Sequence, residues 1–121
     1  MSRSAFGTSG FHGALLRVVE TGPRTFRLVG ELDVSSTGPL ADLLATDLAG
    51  PGDLTLDLRG LTFMDSAGIH LFIKTATALT GRGNLRLLEP ASGIARVIET
   101  TGLERLENLV VVGADAGRGP V

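Results

Sequence analysis

The stretch from Met64 to Gly68, MDSAG, carries the residue types of this chain that are best placed to do chemistry. Asp65 and Ser66 both favour the N-terminal cap of a helix, and an amphipathic segment follows them. Ser66 is therefore expected near unpaired backbone N–H groups and the positive end of a helix dipole. A phosphate on Ser66 would be tolerated there and would add about 1.5 to 2 negative charges. The alternative is that Ser66 is simply the N-cap; Gly68 is expected to keep the site uncluttered.

A second acidic residue follows an earlier predicted strand in the same way as Asp65 does. Asp33 ends the sequence GELD, and if the two strands are neighbours the two carboxylates share one edge of the sheet. Asp33 could tune the Ser66 site, bind a cation or cap the following helix, and capping is favoured over metal binding. A magnesium pocket that also uses Asp57 is disfavoured, because Asp57 precedes its strand end and points to a sheet face.

Catalytic interpretations of the same stretch are weaker. His70 lies four residues after Ser66, so the two could share a helix face and form a Ser–His nucleophile pair. No third orienting group or oxyanion loop accompanies them. The chain also lacks a G-x-S-x-G elbow, a P-loop and a G-x-G-x-x-G turn. We therefore expect a protein without catalytic residues, metal ligands or cofactors.

Composition limits the class of protein. The chain has 121 residues, the size of one domain, and its 43% hydrophobic content can build a core. It has no cysteine and no signal-like N-terminus, and no stretch approaches the ~20 apolar residues of a membrane helix. A soluble, cytoplasmic protein without a membrane partner is expected. The net charge of −2 and the absence of Trp and Tyr argue against direct nucleic-acid binding.

The remaining sequence predicts the elements that must position the serine. Residues 1–13 and 113–121 are expected to be a flexible arm and tail around one domain of residues 14–112. The order of elements is ββαβαβαβ. Alternating or β-branched runs predict five strands, at Ala14–Glu20, Thr25–Asp33, Leu54–Leu58, Leu85–Leu88 and Leu109–Val112.

Three predicted helices join the later strands. Ser35 or Ser36 is expected to cap the first, the second begins near Ser66, and Ser92 is expected to cap the third. The second helix has an apolar stripe expected to face the core, formed by Ile69, Phe72, Ile73, Ala76 and Leu79. Its opposite side carries His70, Lys74 and Thr77.

Alternation within the strands decides the expected architecture. In Leu54–Leu58 the leucines face one way, whereas Thr55 and Asp57 face the other. A parallel strand covered by helices on both faces would instead be a continuous apolar run. We expect an α/β fold with a mixed, mostly parallel sheet of about five strands, with helices on one face and the other face partly exposed to solvent.

Several motifs, in this order and spacing, resemble the STAS domain, and more narrowly the stand-alone anti-sigma factor antagonists of bacteria. The resemblance extends from about Leu15 to Val112. One position differs, since Ala67 stands where many relatives carry a second Ser or Thr. The motifs are GELD at 30–33, LDL at 56–58, LTFMDSAG at 61–68, PAS at 90–92 and VIETTGL at 97–103.

The resemblance implies a switch in protein binding. The unphosphorylated antagonist would bind an anti-sigma factor that is also a serine kinase, and would thereby free a sigma factor. The kinase would phosphorylate Ser66, which would release the antagonist, and a serine phosphatase would reset it. Mg-ATP would belong to the kinase, and this chain would be a monomer or weak dimer. The implied contact residues are Asp33, Ser35, Ser36, Thr37, Asp65, Ser66, Ala67, Gly68, Ile69 and His70.

Other functions remain open within the same family. One alternative is a STAS scaffold or adaptor in a stress-signalling or lipid-transport assembly. Another is a domain that itself binds nucleotides, although no phosphate-binding loop supports that interpretation.

Overall fold

A computed structural model describes residues 15–113 of the chain. The expected arm of residues 1–13 and all of the expected tail except Gly113 lie outside this range. The described residues confirm the order ββαβαβαβ, with a short 3₁₀ turn at Leu103–Arg105 that the sequence analysis did not predict. The strands are β1 (Leu16–Gly22), β2 (Thr25–Leu32), β3 (Leu54–Met64), β4 (Leu85–Leu88) and β5 (Leu109–Val112). The helices are α1 (Val34–Leu48), α2 (Ser66–Ala78) and α3 (Ser92–Thr101).

The five strands form one mixed sheet in the order β1-β2-β3-β4-β5. Strands β1 and β2 form an antiparallel hairpin, and every later neighbouring pair is parallel. Each parallel pair is joined through one helix, and such crossovers are right-handed. Because the strand order advances in one direction, the three helices lie on the same face of the sheet, as expected. The apolar core lies between the helices and the sheet, and it includes Phe26, Leu56, Leu58, Phe72 and Ile98.

Strand β3 is longer than the predicted Leu54–Leu58, because it continues to Met64. The extra length pairs with the second half of β2, with register shifts between Arg27 and Val29 and between Gly30 and Glu31. These irregularities behave as β-bulges, which place extra residues on one strand and locally interrupt the alternation of its faces. The alternation of residue types from which this strand was predicted stops at Leu58. The pairing of β3 with β2 continues beyond that residue.

The second face of β3 is less exposed than expected. Thr55 and Asp57 point away from the helices, yet only 8% and 3% of their surfaces are accessible. In the register of the sheet, Arg27 flanks Asp57, and Arg86 flanks Thr55. Thr55 and Asp57 are therefore not exposed, because longer side chains of neighbouring strands cover them. The face as a whole is partly exposed, as expected, since the Arg27 side chain is 43% exposed.

The Asp57 carboxylate is held by two arginines on this face. Arg59 Nη2 donates to Asp57 Oδ2 at 2.8 Å, and Arg27 Nε donates to the same oxygen at 3.1 Å. Burial opposes ionisation of the carboxyl, but these hydrogen bonds outweigh it and lower the pKa of Asp57 below the ordinary value of 3.8. Asp57 is therefore part of the sheet's structure and does not join Asp33 and Asp65 at the strand ends.

Helix α2 buries a broader side than the predicted stripe. Leu71 and Thr75 are buried, whereas Ile73, which was expected to face the core, is 36% exposed. The difference arises because α2 packs against α1 as well as against the sheet, so its buried side is turned toward Leu71 and Thr75. The Thr75 hydroxyl donates to the Leu71 carbonyl at 2.7 Å, which satisfies its polar group in the core.

Gly68 allows the first turn of α2 to lie close to the ends of β2 and β3. A Cβ atom at Gly68 would lie 2.5 Å from Met64 Cγ and 3.1 Å from Leu32 Cδ2. The residue is buried, so its role differs from the expected one of keeping the surface uncluttered. It sets the distance between α2 and the sheet, and through this distance it sets the height of Ser66.

Replacing Gly68 by alanine should destabilise the domain by about 1 to 3 kcal/mol, because the added methyl group would overpack a close contact. Urea unfolding of Gly68→Ala and the native chain measures this difference. Gly93→Ala is the matched control, since a Cβ at this helical glycine in α3 has nothing within 4 Å. That control should be stabilised by about 0.5 to 1 kcal/mol, and equal effects at the two sites would contradict the packing argument.

The stability of the domain should decrease at acid pH, and Asp57 should contribute to this decrease. The unfolded chain takes up this proton near 3.8 and the native chain at a lower pH, so the free energy of unfolding decreases as pH falls from that value. Asp57→Asn should lower the free energy of unfolding by about 1 to 3 kcal/mol at neutral pH and should reduce the acid dependence, leaving the share of Asp33, whose pKa is also lowered. Urea titrations from neutral to acid pH check both effects, with the exposed Asp42→Asn as the control for loss of one charge. An acid slope that is unchanged in Asp57→Asn would contradict the assignment.

Candidate functional site

The site lies where the neighbouring strands β2 and β3 end together. Their last residues, Leu32 and Met64, are paired, and the next residues are Asp33 and Asp65. The backbone N–H of Asp65 donates to the Leu32 carbonyl at 3.3 Å, which continues the strand pairing into the turn. The expectation that Asp33 and Asp65 share one edge of the sheet is thus confirmed.

Asp33 is the N-cap of α1, so the prediction that Ser35 or Ser36 caps this helix is wrong. Asp33 Oδ1 accepts from the Ser35 N–H at 2.9 Å and from the Ser35 hydroxyl at 2.6 Å. The Ser36 oxygen in turn accepts from the Asp33 N–H at 3.0 Å, which completes a capping box. The hydroxyl and backbone of Ser35 lower the pKa of Asp33 below its ordinary value by stabilising the charged form.

Asp65 is likewise the N-cap of its helix, α2. Its Oδ1 accepts from the Ala67 N–H at 2.9 Å, and its carbonyl accepts the first helical bond, from Ile69, at 3.2 Å. Because Asp65 takes the cap, Ser66 is the first residue of the helix, and the interpretation of Ser66 as the N-cap is wrong. Ser92 in α3 is likewise the first helical residue, not the cap, and Ala91 precedes it without a side-chain cap.

Ser66 is exposed and has no structural task within residues 15–113. Its hydroxyl makes no hydrogen bond in that range, so the helix does not depend on it. A group attached there would meet solvent and the first turn of α2, and would disturb no packed side chain. The hydroxyl is therefore available for modification at little cost to folding.

The other predicted contact residues divide into two groups. Ser35 and His70 are exposed, and Asp33, Thr37, Asp65 and Ala67 are partly exposed, so they form a surface around Ser66. Ser36, Gly68 and Ile69 are buried, with Ser36 fully inaccessible and Ile69 9% exposed. A partner could not touch the buried three, which instead hold the caps and the first turn of α2 in place.

A shallow groove of about 260 Å³ runs between α1 and α2 beside this surface. Its lining includes Thr37, Ala41 and Ala67, with His70 and Lys74 from α2. Ala41 and Lys74 were not predicted as site residues, because only the packing of α1 on α2 brings them together. Helical spacing did place Lys74 on the same side as His70.

Val34 is a further surface residue that sequence reasoning missed. It is the first residue of α1, equivalent to Ser66 in α2, and 79% of its surface is exposed. The available signal was an apolar, β-branched residue directly after Asp33, where the helix was expected to begin. Together Val34 and Ser66 occupy the same position on adjacent helices above the strand ends.

The geometry of the described range gives no support to metal or nucleophile chemistry at this edge. Among residues 15–113, no three His, Asp or Glu side chains converge on a possible metal position. Ser66 and His70 are not hydrogen-bonded to each other. Among the helices of residues 15–113, none is long and apolar enough to cross a membrane. What the arrangement does offer is an exposed hydroxyl within a polar surface next to a groove.

Comparisons with known proteins show which proteins this chain resembles in sequence. An anti-sigma-B factor antagonist from Staphylococcus epidermidis is 35% identical over 79 residues, which are 64% of this chain and 73% of that protein. One from Staphylococcus aureus (strain NCTC 8325 / PS 47) shows the same identity and coverage. These relatives are similar in sequence across most of their own length.

Two solved structures share the fold. The unphosphorylated form of the anti-sigma factor antagonist SpoIIAA has a TM-score of 0.60 at 20% identity, covering 87% of this chain and 99% of that one. An anti-sigma factor antagonist from Mycobacterium paratuberculosis has a TM-score of 0.68 at 23% identity, covering 85% and 90% of the two chains. The model of the STAS domain matches residues 16–114, nearly the whole range that the structure describes. The chain therefore belongs to the STAS domain family.

Proposed function

We propose that this protein is an anti-sigma factor antagonist that binds its anti-sigma factor when Ser66 is unmodified and releases it when Ser66 is phosphorylated. The observation that carries the proposal is the exposed Ser66 hydroxyl, which the fold leaves unused at the start of α2. The names of the sequence relatives support the antagonist role. Binding, and not catalysis, is then the activity of this chain.

The proposed contact surface consists of the first turns of α1 and α2. Val34, Ser35 and Thr37 come from α1, and Ser66 and His70 come from α2. The partner is an anti-sigma factor that is itself a serine kinase, and a serine phosphatase restores the unmodified form. Because Ser66 lies within this surface, the partner must contact the residue that it modifies.

Phosphorylation would change binding without changing the fold. The phosphate adds about 1.5 to 2 negative charges to a surface that a partner must desolvate. At the same time it lies at a helix N-terminus, where negative charge is stabilising. The cost therefore falls on the complex, and the free protein remains folded.

The first test concerns the position of the phosphate. With the purified anti-sigma factor kinase and Mg-ATP, mass spectrometry should find one phosphate, on Ser66. Ser66→Ala should take up none, whereas Ser92→Ala should be phosphorylated as the native chain is. Ser92 is a fair comparison because it is also exposed and is the first residue of its helix. Phosphate on Ser35 or Ser92 in place of Ser66 would contradict the assignment.

The second test separates binding from folding. Ser66→Asp should weaken binding to the anti-sigma factor at least tenfold, measured by calorimetry, while Tm stays the same or rises by up to about 4 °C. Ser66→Ala should bind as the native chain does and should not be released by ATP. Ser92→Asp is the control for added charge and should bind normally. Unfolding of Ser66→Asp would refute the electrostatic argument, and unchanged binding would favour a scaffold or adaptor role.

A further inference from the structure

Ser66, His70 and Lys74 form a line along the exposed side of α2. All three are exposed, and each is four residues from the next. Residues with this spacing lie one above another on a helix, with Cβ atoms about 5–6 Å apart. Helical side chains also lean toward the N-terminus. The Cα–Cβ bond of His70 is therefore tilted toward the turn that holds Ser66, and that of Lys74 toward the turn that holds His70.

On the groove side, the described residues around His70 include a basic group but no acidic one. Helix α1 contributes Thr37, Gly38 and Ala41 to the lining, none of which is charged, and Lys74 is the other titratable group there. Within residues 15–113, neither His70 nor Lys74 forms an ion pair. The nearest turn holds the carboxylate of Asp65, which already accepts the Ala67 N–H as the helix cap.

We propose that His70, supported by Lys74, is the counter-ion for a phosphate on Ser66. The inference rests on the proposed function only in that Ser66 is the residue that is modified. An anion followed by a cation four residues later is the favourable order for an ion pair on a helix. A protonated imidazole beside the phosphate stabilises its doubly ionised form. The contact would hold the phosphate along α2, at the mouth of the groove that His70 and Lys74 line.

No charged group of α1 lines the groove, so helix α1 opposes neither the contribution of His70 nor that of Lys74.

The test uses full-length protein with phosphoserine placed at position 66 during synthesis. A ³¹P NMR titration gives the second pKa of this phosphate in the native background, in His70→Gln and in Lys74→Gln. We expect the value to be higher in His70→Gln by about 0.2 to 0.4 unit, with a smaller rise in Lys74→Gln. His70→Lys keeps a cation and should restore a low value. Phosphoserine at position 92, on α3, is the control and should not respond to His70→Gln.

Equal phosphate titrations in the native chain and His70→Gln would overturn the inference. A rise of the same size for phosphoserine 92 would also overturn it, because the effect would then be one of overall charge. Since the phosphate is introduced during synthesis, the result does not depend on any kinase. A negative result leaves the proposed partner switch intact, and failure of a kinase to act on Ser66 leaves this measurement unaffected.

Discussion

The parallel pairing of β2 with β3 up to Leu32 and Met64 is the constraint on which the site depends. The residue after each strand is an aspartate that caps a helix. Because the two strands end at the same level, both aspartates lie at the same edge of the sheet. The Asp65 N–H bond to the Leu32 carbonyl extends this pairing by one step. The first turns of α1 and α2 are thus held side by side by the backbone pairing beneath them and by the packing of α1 on α2.

Each helix is capped by its aspartate, so the residue that follows the aspartate has no capping role. Asp33 and Asp65 satisfy N–H groups that would otherwise remain unpaired at the helix starts. The residue after each cap is then free of that task, and in α2 this residue is Ser66. A serine that itself capped the helix would lose a structural hydrogen bond on modification. With the cap on the preceding aspartate, the phosphate that the proposed function places on Ser66 would act on binding and would leave the cap intact.

The two faces of the sheet are stabilised by different interactions. On the helix side, the core is aliphatic with two fully buried phenylalanines, Phe26 and Phe72. On the other side no helix of the described chain covers the central strand, and its short polar residues are covered by longer neighbours. Asp57 remains charged there because Arg27 and Arg59 compensate for its burial. This arrangement lets the sheet be built from strands that alternate in polarity.

Much of the architecture was determined by the sequence itself. The order of elements, the parallel sheet and the helices on one face all followed from alternation, turn residues and helical spacing. Strands β4 and β5 have the predicted bounds, and the shared edge of Asp33 and Asp65 was expected from the strand order. The residue types around Ser66 indicated a place where a phosphate could be accommodated, whereas the contact surface was implied only by the resemblance to the family.

Only the tertiary structure decided which of these residues are surface and which are support. Asp33, Ser35 and Ser36 are all residue types that cap helices, so the sequence did not decide which of them is the cap. The backbone geometry decides it in favour of Asp33. Gly68 and Ile69 belong to the motif, yet they are buried by the approach of α2 to the strand ends. The groove that His70 and Lys74 line exists because α1 packs on α2, which joins residues about thirty positions apart. Such contacts are set by packing between distant segments, and local sequence patterns carry no direct record of them.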